Sequence, residues 1–188
     1  MIRTNHELLD FFSKNCEENE FIKYEQFHPG KKIINQGSLV RGVYIIEKGI
    51  GKCYVEEENG KIFIQEFFGK GEILGEVEIF DDALSFSNVE AVTRISAYRI
   101  EKNDFYKLIE KKNEFGIILF KAMAVKLRNT AKRASSQQSY PLEYNLKKLL
   151  QLSSAETEHI SKNDMASYLG ITLRSLNRKI KQIQKNDP

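Results

Sequence analysis

The sequence is poor in the residues that catalysis and metal binding usually require. It has no tryptophan, and its two cysteines, Cys16 and Cys53, stand 37 positions apart without a CxxC pair. Such thiols are more often reduced residues of a cytosolic protein than a disulfide or a metal site. The three histidines, His6, His28 and His159, match no metal-ligand spacing. We expect no metal, no cofactor and no catalytic residue.

Long apolar runs are also missing. No segment approaches the roughly 20 residues that span a bilayer, and the acidic N-terminus lacks the apolar core of a signal peptide. Of the 188 residues 41% are hydrophobic and 29% charged, which is ordinary for a soluble protein with a sizeable core. This composition predicts a cytoplasmic protein of one or two domains without a membrane partner.

Charge is divided unevenly along the chain. Residues 1–110 hold 14 Lys and Arg against 20 Asp and Glu, a net charge of −6, whereas residues 111–140 carry +6 and residues 141–188 carry +3. An acidic front and a basic back indicate that only the back half meets a polyanion.

Short β-rich runs punctuated by glycine fill residues 24–100. Asn59-Gly60 between two alternating runs is a strong hairpin signal, and strands at this spacing predict an antiparallel roll or sandwich. A short helix is expected before them at residues 6–15, and another after them from near Asp104. The runs assigned to strands are KIIN, GVYIIEKG, GKCYVEEENG, KIFIQEFF, EILGEVEIF and NVEAVTRISAYRI.

A long amphipathic helix is predicted from Asn113 to about Gln138. At 1.5 Å per residue it would be about 38 Å long, too long for one small core to cover. Its apolar positions repeat at helical spacing, and two interpretations are open. One is a long core helix; the favoured one is a helix that pairs with its twin in a homodimer. The proposed contact stripe, with a polar residue to fix the register, is Ile118, Ala122, Val125 and Asn129.

A helix-turn-helix pattern follows Tyr140-Pro141, where the proline ends the long helix. After a helix at residues 143–152, Ser161 marks the next helix start, Gly170 its end, and Thr172 the N-cap of a second helix. Arginine and asparagine on that helix could pair with guanine and adenine in the major groove. The alternative is two packed helices with a solvated basic surface. The candidate reading residues are Arg174, Ser175, Asn177, Arg178 and Lys181.

The roll, the motif GEILGE, the long helix and DMASYLGITLRSLNR together resemble the cyclic-AMP receptor protein/fumarate-nitrate regulator (Crp/Fnr) family, from about Phe21 to Lys181. SSQQSYPLEYNL and the Glu-Val-Glu after GEILG also resemble its YeiL-type branch. The resemblance implies an α+β chain: a cyclic-nucleotide-binding-like β-roll sensor at residues 1–112, a dimerisation helix and hinge at 113–139, and a winged-helix-type DNA-binding domain at 140–188 whose wing is apparently missing. It implies a homodimer on a palindromic operator in double-stranded DNA, with RNA polymerase as a candidate partner.

The resemblance also implies a ligand pocket that has lost its phosphate cation. Gly75 and Glu76 match positions that contact the ribose in cyclic-nucleotide-binding members. The phosphate-binding Arg-Ser pair aligns within Ser85, Phe86 and Ser87, and residues 71–93 contain no lysine, arginine or histidine. A charge-assisted bidentate partner is worth roughly 1.5–3 kcal/mol, so cyclic-nucleotide affinity is expected to fall by about tenfold or more.

On the long helix, Thr130 matches a base-contacting threonine, although Ala131 follows where a serine is usual. In the recognition helix, the resemblance adds Leu173 to the reading residues, for a thymine methyl. Arg178 agrees with the family, whereas Arg174 replaces a common glutamate, so the operator is expected to differ from the usual half-site.

Other signals of such regulators are not evident. An iron-sulfur cluster needs about four cysteine ligands, and a haem would have only His28 or Cys53 as axial ligand candidates. No catalytic motif is present, so an enzyme is not expected. Two alternatives to the regulator stay open: a sensor of a different small ligand, and a β-roll interaction module that binds no DNA.

Overall fold

The computed structural model describes residues 2–15, 20–150 and 158–186. Cys16 lies outside these ranges, as does the end of the helix expected at residues 143–152. No helix among the described residues is long and apolar enough to cross a membrane. The strands are β1 (Ile2–Arg3), β2 (Ile22–Phe27), β3 (Lys32–Ile34), β4 (Gly42–Lys48), β5 (Gly51–Glu56), β6 (Ile62–Phe68), β7 (Ile73–Leu74), β8 (Asn88–Ala91) and β9 (Ile95–Glu101). The helices are α1 (His6–Asn15), α2 (Glu76–Asp81), α3 (Lys102–Lys111), α4 (Asn113–Ser139), α5 (Leu142–Leu150), α6 (Lys162–Leu169) and α7 (Leu173–Asn186).

Two sheets form a β-roll, which confirms the expected α+β class. One sheet has the order β1-β6-β5-β8-β3 and the other β2-β9-β4-β7. All pairs are antiparallel except β1, which runs parallel to β6. Strand side chains alternate between the two faces of a sheet, and both faces of β4 belong to the interior, because the consecutive residues Ile45 and Ile46 are each fully buried. The fully buried residues of this interior include Val43, Ile45, Ile46, Ile95 and Ile100.

Helices α1, α3 and the first half of α4 cover one end of the roll. Phe115 of α4 meets Phe12 of α1 and Phe105 of α3 edge to face, with ring centroids 5.5 and 5.6 Å apart. All three rings are fully buried, so these helices share one core with the strands.

The sequence predicted one strand for the run EILGEVEIF, and this prediction is wrong. Only Ile73 and Leu74 are extended, and the residues from Glu76 form helix α2. Gly75 adopts φ +86°, which favours glycine and turns the chain out of the strand. Gly71, at φ +81°, approaches Asn5 so closely that a Cβ would collide with its carbonyl. Both glycines of GEILGE therefore serve the fold, as the sequence suggested.

Other boundaries agree with the sequence more closely. Gly60 adopts φ +75° in the hairpin between β5 and β6, and the Glu57 amide donates to the carbonyl of Lys61 at 2.9 Å. Helix α1 spans the predicted residues, α4 ends within about one residue of its predicted end, and α3 begins two residues before Asp104. Strands β1 and β2 were not expected.

The apolar stripe proposed for α4 faces solvent only in its second half, where Val125 and Asn129 are exposed. Ile118 and Ala122 are only 4% and 8% exposed because they pack into the core of the roll. Apolar side chains that do face solvent include Phe120 at 77% and Leu127 at 74% exposure. At about 100° per residue these two lie on a different side of α4 from Ile118 and Ala122.

Helices α5 to α7 pack around a small core of Leu146, Ala166 and Leu176. Each predicted cap is present. The Ser161 hydroxyl accepts from the amide of Asp164 at 3.0 Å, Gly170 ends α6 at φ +68°, and Thr172 Oγ1 accepts from the amide of Ser175 at 3.2 Å.

Candidate functional sites

The first candidate site surrounds Glu76 at the start of α2. Its side chain is almost fully buried, at 2% exposure. Gly75 lies against the roll, where a Cβ would stand 3.0 Å from both the Gly42 carbonyl oxygen and Val40 Cγ1. The tight backbone at Gly75 thus places the next residue, Glu76, so that its side chain is buried in the roll. A buried carboxylate needs a partner there.

Lys126 of α4 supplies that partner. Its Nζ lies 2.6 Å from Glu76 Oε1 and 2.5 Å from the carbonyl oxygen of Ile73. Burial opposes the charge on Lys126, but the Glu76 and Glu72 carboxylates outweigh it, so its pKa lies above the ordinary lysine value. Residues 71–93 contain no cation, but Lys126 of the long helix brings one to this site. This cation is already paired with Glu76.

A second cation extends this pair into a buried ion cluster. Arg3 of β1 lies 2.5 Å from Glu66 of β6 and 2.9 Å from Glu72, which is 3.9 Å from Lys126. Three carboxylates thus face two cations. Burial raises the pKa of Glu66 in spite of the nearby Arg3. Glu72 Oε2 is the oxygen that pairs with Arg3 Nη2, whereas Arg3 Nε has no hydrogen-bond partner in the described structure.

The three residues aligned with the phosphate-binding pair, Ser85, Phe86 and Ser87, do not form a phosphate site. Ser85 Oγ lies 2.9 Å from both Glu78 Oε1 and the Ser87 carbonyl oxygen. Ser87 Oγ lies 3.0 Å from Cys53 Sγ, and burial raises the pKa of this thiol to about 12, so it is neutral. Phe86 is 68% exposed and does not fill the pocket.

Thr130 is exposed and makes no contact with Glu76 within the described structure. The pocket residues that sequence reasoning missed are Arg3, Glu66, Glu72 and Lys126. For Lys126 a signal existed: it continues the buried series Phe115, Leu119 and Ala122 at helical spacing, so it had to face inward.

The second candidate site is the outer face of α7. Leu176 is fully buried against α5 and α6, which turns the opposite face outward. Ser175 takes part in the N-cap of α7, since its amide and its hydroxyl both lie within 3.2 Å of Thr172 Oγ1. All six predicted reading residues border one open groove of about 690 Å³: Leu173, Arg174, Ser175, Asn177, Arg178 and Lys181.

The charges of this groove are unneutralised. Among the described residues, no carboxylate pairs with Arg174, Arg178 or Lys181, whereas Lys179 on the flank of α7 pairs with Glu143 of α5. An exposed helix that carries free guanidinium and ammonium groups can meet both base edges and phosphates.

Comparison with known proteins finds a family match within the β-roll region and structural likenesses over most of the chain. The cyclic nucleotide-binding domain family matches residues 24–112. The cAMP-activated global transcriptional regulator CRP of Salmonella typhimurium is 25% identical over 130 residues, which cover 68% of this chain and 59% of that regulator. The chain thus matches under two thirds of its relative's length.

Two solved structures share the fold over most of the chain. FixK2 from Bradyrhizobium japonicum has a TM-score of 0.75 at 16% identity, covering 88% of this chain and 85% of its own. The c-di-GMP responsive global regulator CLP from Xanthomonas campestris has a TM-score of 0.76 at 17% identity, covering 88% of both chains. Both likenesses extend beyond the β-roll.

Proposed function

We propose that this chain, which belongs to the Crp/Fnr family, is a homodimeric DNA-binding transcription regulator whose sensor does not take a cyclic nucleotide. The observation that carries the first part is the α7 groove. No carboxylate among the residues that the structure describes pairs with its cations, Leu176 anchors the opposite face of α7, and the residues of the groove are those that the sequence assigns to base reading. A relative that matches 68% of this chain is itself named as a transcriptional regulator.

The test is selection of bound duplexes from a random DNA pool. We expect enrichment of a two-fold symmetric site with half-sites about one helical turn apart, because each subunit would present one α7. Binding should weaken steeply with salt, since phosphate contacts release counterions. Recovery of duplexes without any shared sequence would contradict the proposal and favour an interaction module that binds no specific DNA.

The loss of cyclic-nucleotide binding is supported by the buried pair of Lys126 and Glu76. A cyclic phosphate would enter a region with three carboxylates whose two cations are already paired, and residues 71–93 offer no further cation. Titration calorimetry with cyclic AMP and cyclic GMP should show dissociation constants above about 10 μM, which corresponds to roughly −7 kcal/mol. Tighter binding of either nucleotide would overturn this part.

One observation favours a sensor of a different small ligand as the second candidate. Arg3 Nε is buried in the ion cluster without a hydrogen-bond partner among the described residues, and buried polar atoms usually have one. A small neutral molecule that carries a hydrogen-bond acceptor would fit this donor. A thermal-shift titration with acetamide tests this class, and equal shifts in wild type and Arg3→Lys would argue against it.

The homodimer is supported by the solvent-facing side of α4. Phe120, Met123, Leu127, Thr130 and Ala134 follow the a and d spacing of a heptad. Of these, Met123 is half-buried and also packs against the core of the roll. Phe120 and Leu127 are each more than 70% exposed in the single chain. A second copy of α4 would cover them and bring Thr130 into the same seam.

A further inference from the structure

Arg133 of α4 joins the roll to the helix-turn-helix unit. Its Nη2 donates to the carbonyl oxygens of Ile64 in β6 at 2.8 Å and Tyr168 in α6 at 2.9 Å. Its guanidinium carbon lies 4.1 Å from the ring centre of Tyr168 and 5.0 Å from that of Phe63. Burial lowers the pKa of Arg133, but arginine stays charged at neutral pH. One side chain of α4 thus contacts two other elements, β6 and α6.

An ion pair joins the same two units at a second point. Lys52 of β5 lies 2.8 Å from Asp164 of α6 and 3.3 Å from Glu90 of β8. Burial opposes the charge on Lys52, but the two carboxylates outweigh it and raise its pKa. Lys52 and Asp164 are 16% and 18% exposed, so the pair is shielded better than an ordinary surface pair.

Apolar contacts complete the junction. Tyr54, Ile64 and Phe67 of the roll form one buried cluster with Ile160, and Met165 and Tyr168 of α6 pack against it. The rings of Phe67 and Tyr168 are 5.6 Å apart. Helix α6 therefore docks on the roll, whereas α7 packs on α5 and α6 and keeps its groove open.

We infer that Arg133 and the Lys52–Asp164 pair are positioning residues that fix the direction of α7 through α6. This inference rests on the proposed DNA binding. Two recognition helices can enter successive major grooves only if their separation and direction match the half-sites. A helix-turn-helix unit released from the roll could turn about residues 140–141, so only a fraction of the dimers would have both α7 helices in the orientation that fits the two half-sites. The apparent affinity for the operator would fall in proportion to that fraction.

The first experiment compares Arg133→Ala and Arg133→Lys with Lys132→Ala on a duplex that the wild type selects from a random pool. Both Arg133 variants should weaken binding by about tenfold, because lysine keeps the charge but cannot stack on Tyr168 and bridge two carbonyls as a planar fork. Lys132 is exposed and beside Arg133, so its variant should lose less. Full binding by Arg133→Lys would overturn the positioning role and leave charge as the explanation.

The same duplex with one half-site scrambled provides the second readout. Orientation between two subunits matters little when only one half-site is present, so the Arg133 variants should bind this duplex about as well as wild type. A direct phosphate contact or general misfolding would weaken both duplexes equally, and that result would refute the inference.

The Lys52–Asp164 ion pair allows a third experiment, which does not depend on DNA. Lys52→Glu should speed amide hydrogen exchange in residues 63–68 and 162–169, and Lys52→Glu with Asp164→Lys should slow it again. Unchanged exchange in Lys52→Glu would refute the junction even if operator binding is normal. A wild type that binds no duplex would refute the proposed function and the positioning role, and exchange alone would then decide whether the two units are held together.

Discussion

The pair of Lys126 and Glu76 places two opposite charges inside the roll, where each depends on the other. A buried carboxylate without a partner is costly, because the interior cannot replace the water it has lost. The Ile73 carbonyl accepts from the same ammonium, so Lys126 ties α4 to strand β7 within GEILGE. This contact holds the long helix against the roll.

Lys126→Met should therefore lower the free energy of unfolding by about 3 kcal/mol, since it leaves Glu76 buried and unpaired. The matched control is Lys121→Met, whose ion pair with Glu7 is exposed and should be worth less than about 1 kcal/mol. Urea unfolding followed by circular dichroism measures both. Adding Glu76→Gln to Lys126→Met should recover part of the loss, and equal losses in the two single variants would count against the buried pair.

Glu66 gives the ion cluster a pH dependence. Burial raises its pKa above the ordinary value of 4.5, so the folded protein holds this proton more tightly than the unfolded chain does. Its contribution to the free energy of unfolding therefore declines as pH rises from about 4.5 through the folded-state pKa. Glu66→Gln cannot ionise, so its stability relative to wild type should increase over that pH range. A relative stability that stays flat or decreases with pH would show that the folded pKa is not raised.

At the scale of elements, periodicity predicted α1, α4 and most strands because apolar positions repeat with the period of each element. It failed for α2, whose six residues are too few to show a helical period and follow a strand of two residues. It also misjudged α4, whose apolar residues lie on two sides: one enters the roll and the other faces solvent. A repeat in sequence gives the spacing of a stripe but not the surface that covers it.

Helix α7 was predictable for the opposite reason, since caps and one apolar face left a single outward side. If that side enters the major groove, Arg178→Ala should cost about 1–3 kcal/mol and relax preference at one base pair per half-site. Lys185→Ala, further along the same exposed side, should weaken all sequences about equally and lower the salt slope by about one unit. A titration against an operator library at several salt concentrations separates the two. Uniform weakening by Arg178→Ala would limit α7 to nonspecific attachment.

For the whole molecule, α4 is the element to which the other parts are joined. Its inner face carries Lys126 into the sensor and Arg133 into the junction with α6, and these residues are seven positions apart on one side of the helix. The other side carries the heptad seam. A second copy bound at that seam would thus be connected through α4 to both the ion cluster and the helix-turn-helix unit of each subunit.

The seam predicts which substitution prevents the dimer. Leu127→Asp would place two like charges together in a desolvated interface, so sedimentation velocity should show monomers at concentrations where wild type is dimeric. Val125→Asp is the matched control: it introduces the same charge on the same helix, but Val125 lies two residues and about 200° away from Leu127. It should stay dimeric, contrary to the stripe read from the sequence. Monomers from Val125→Asp with dimers from Leu127→Asp would move the interface to the other side of α4. Dimers from both would place the subunit contact outside this helix.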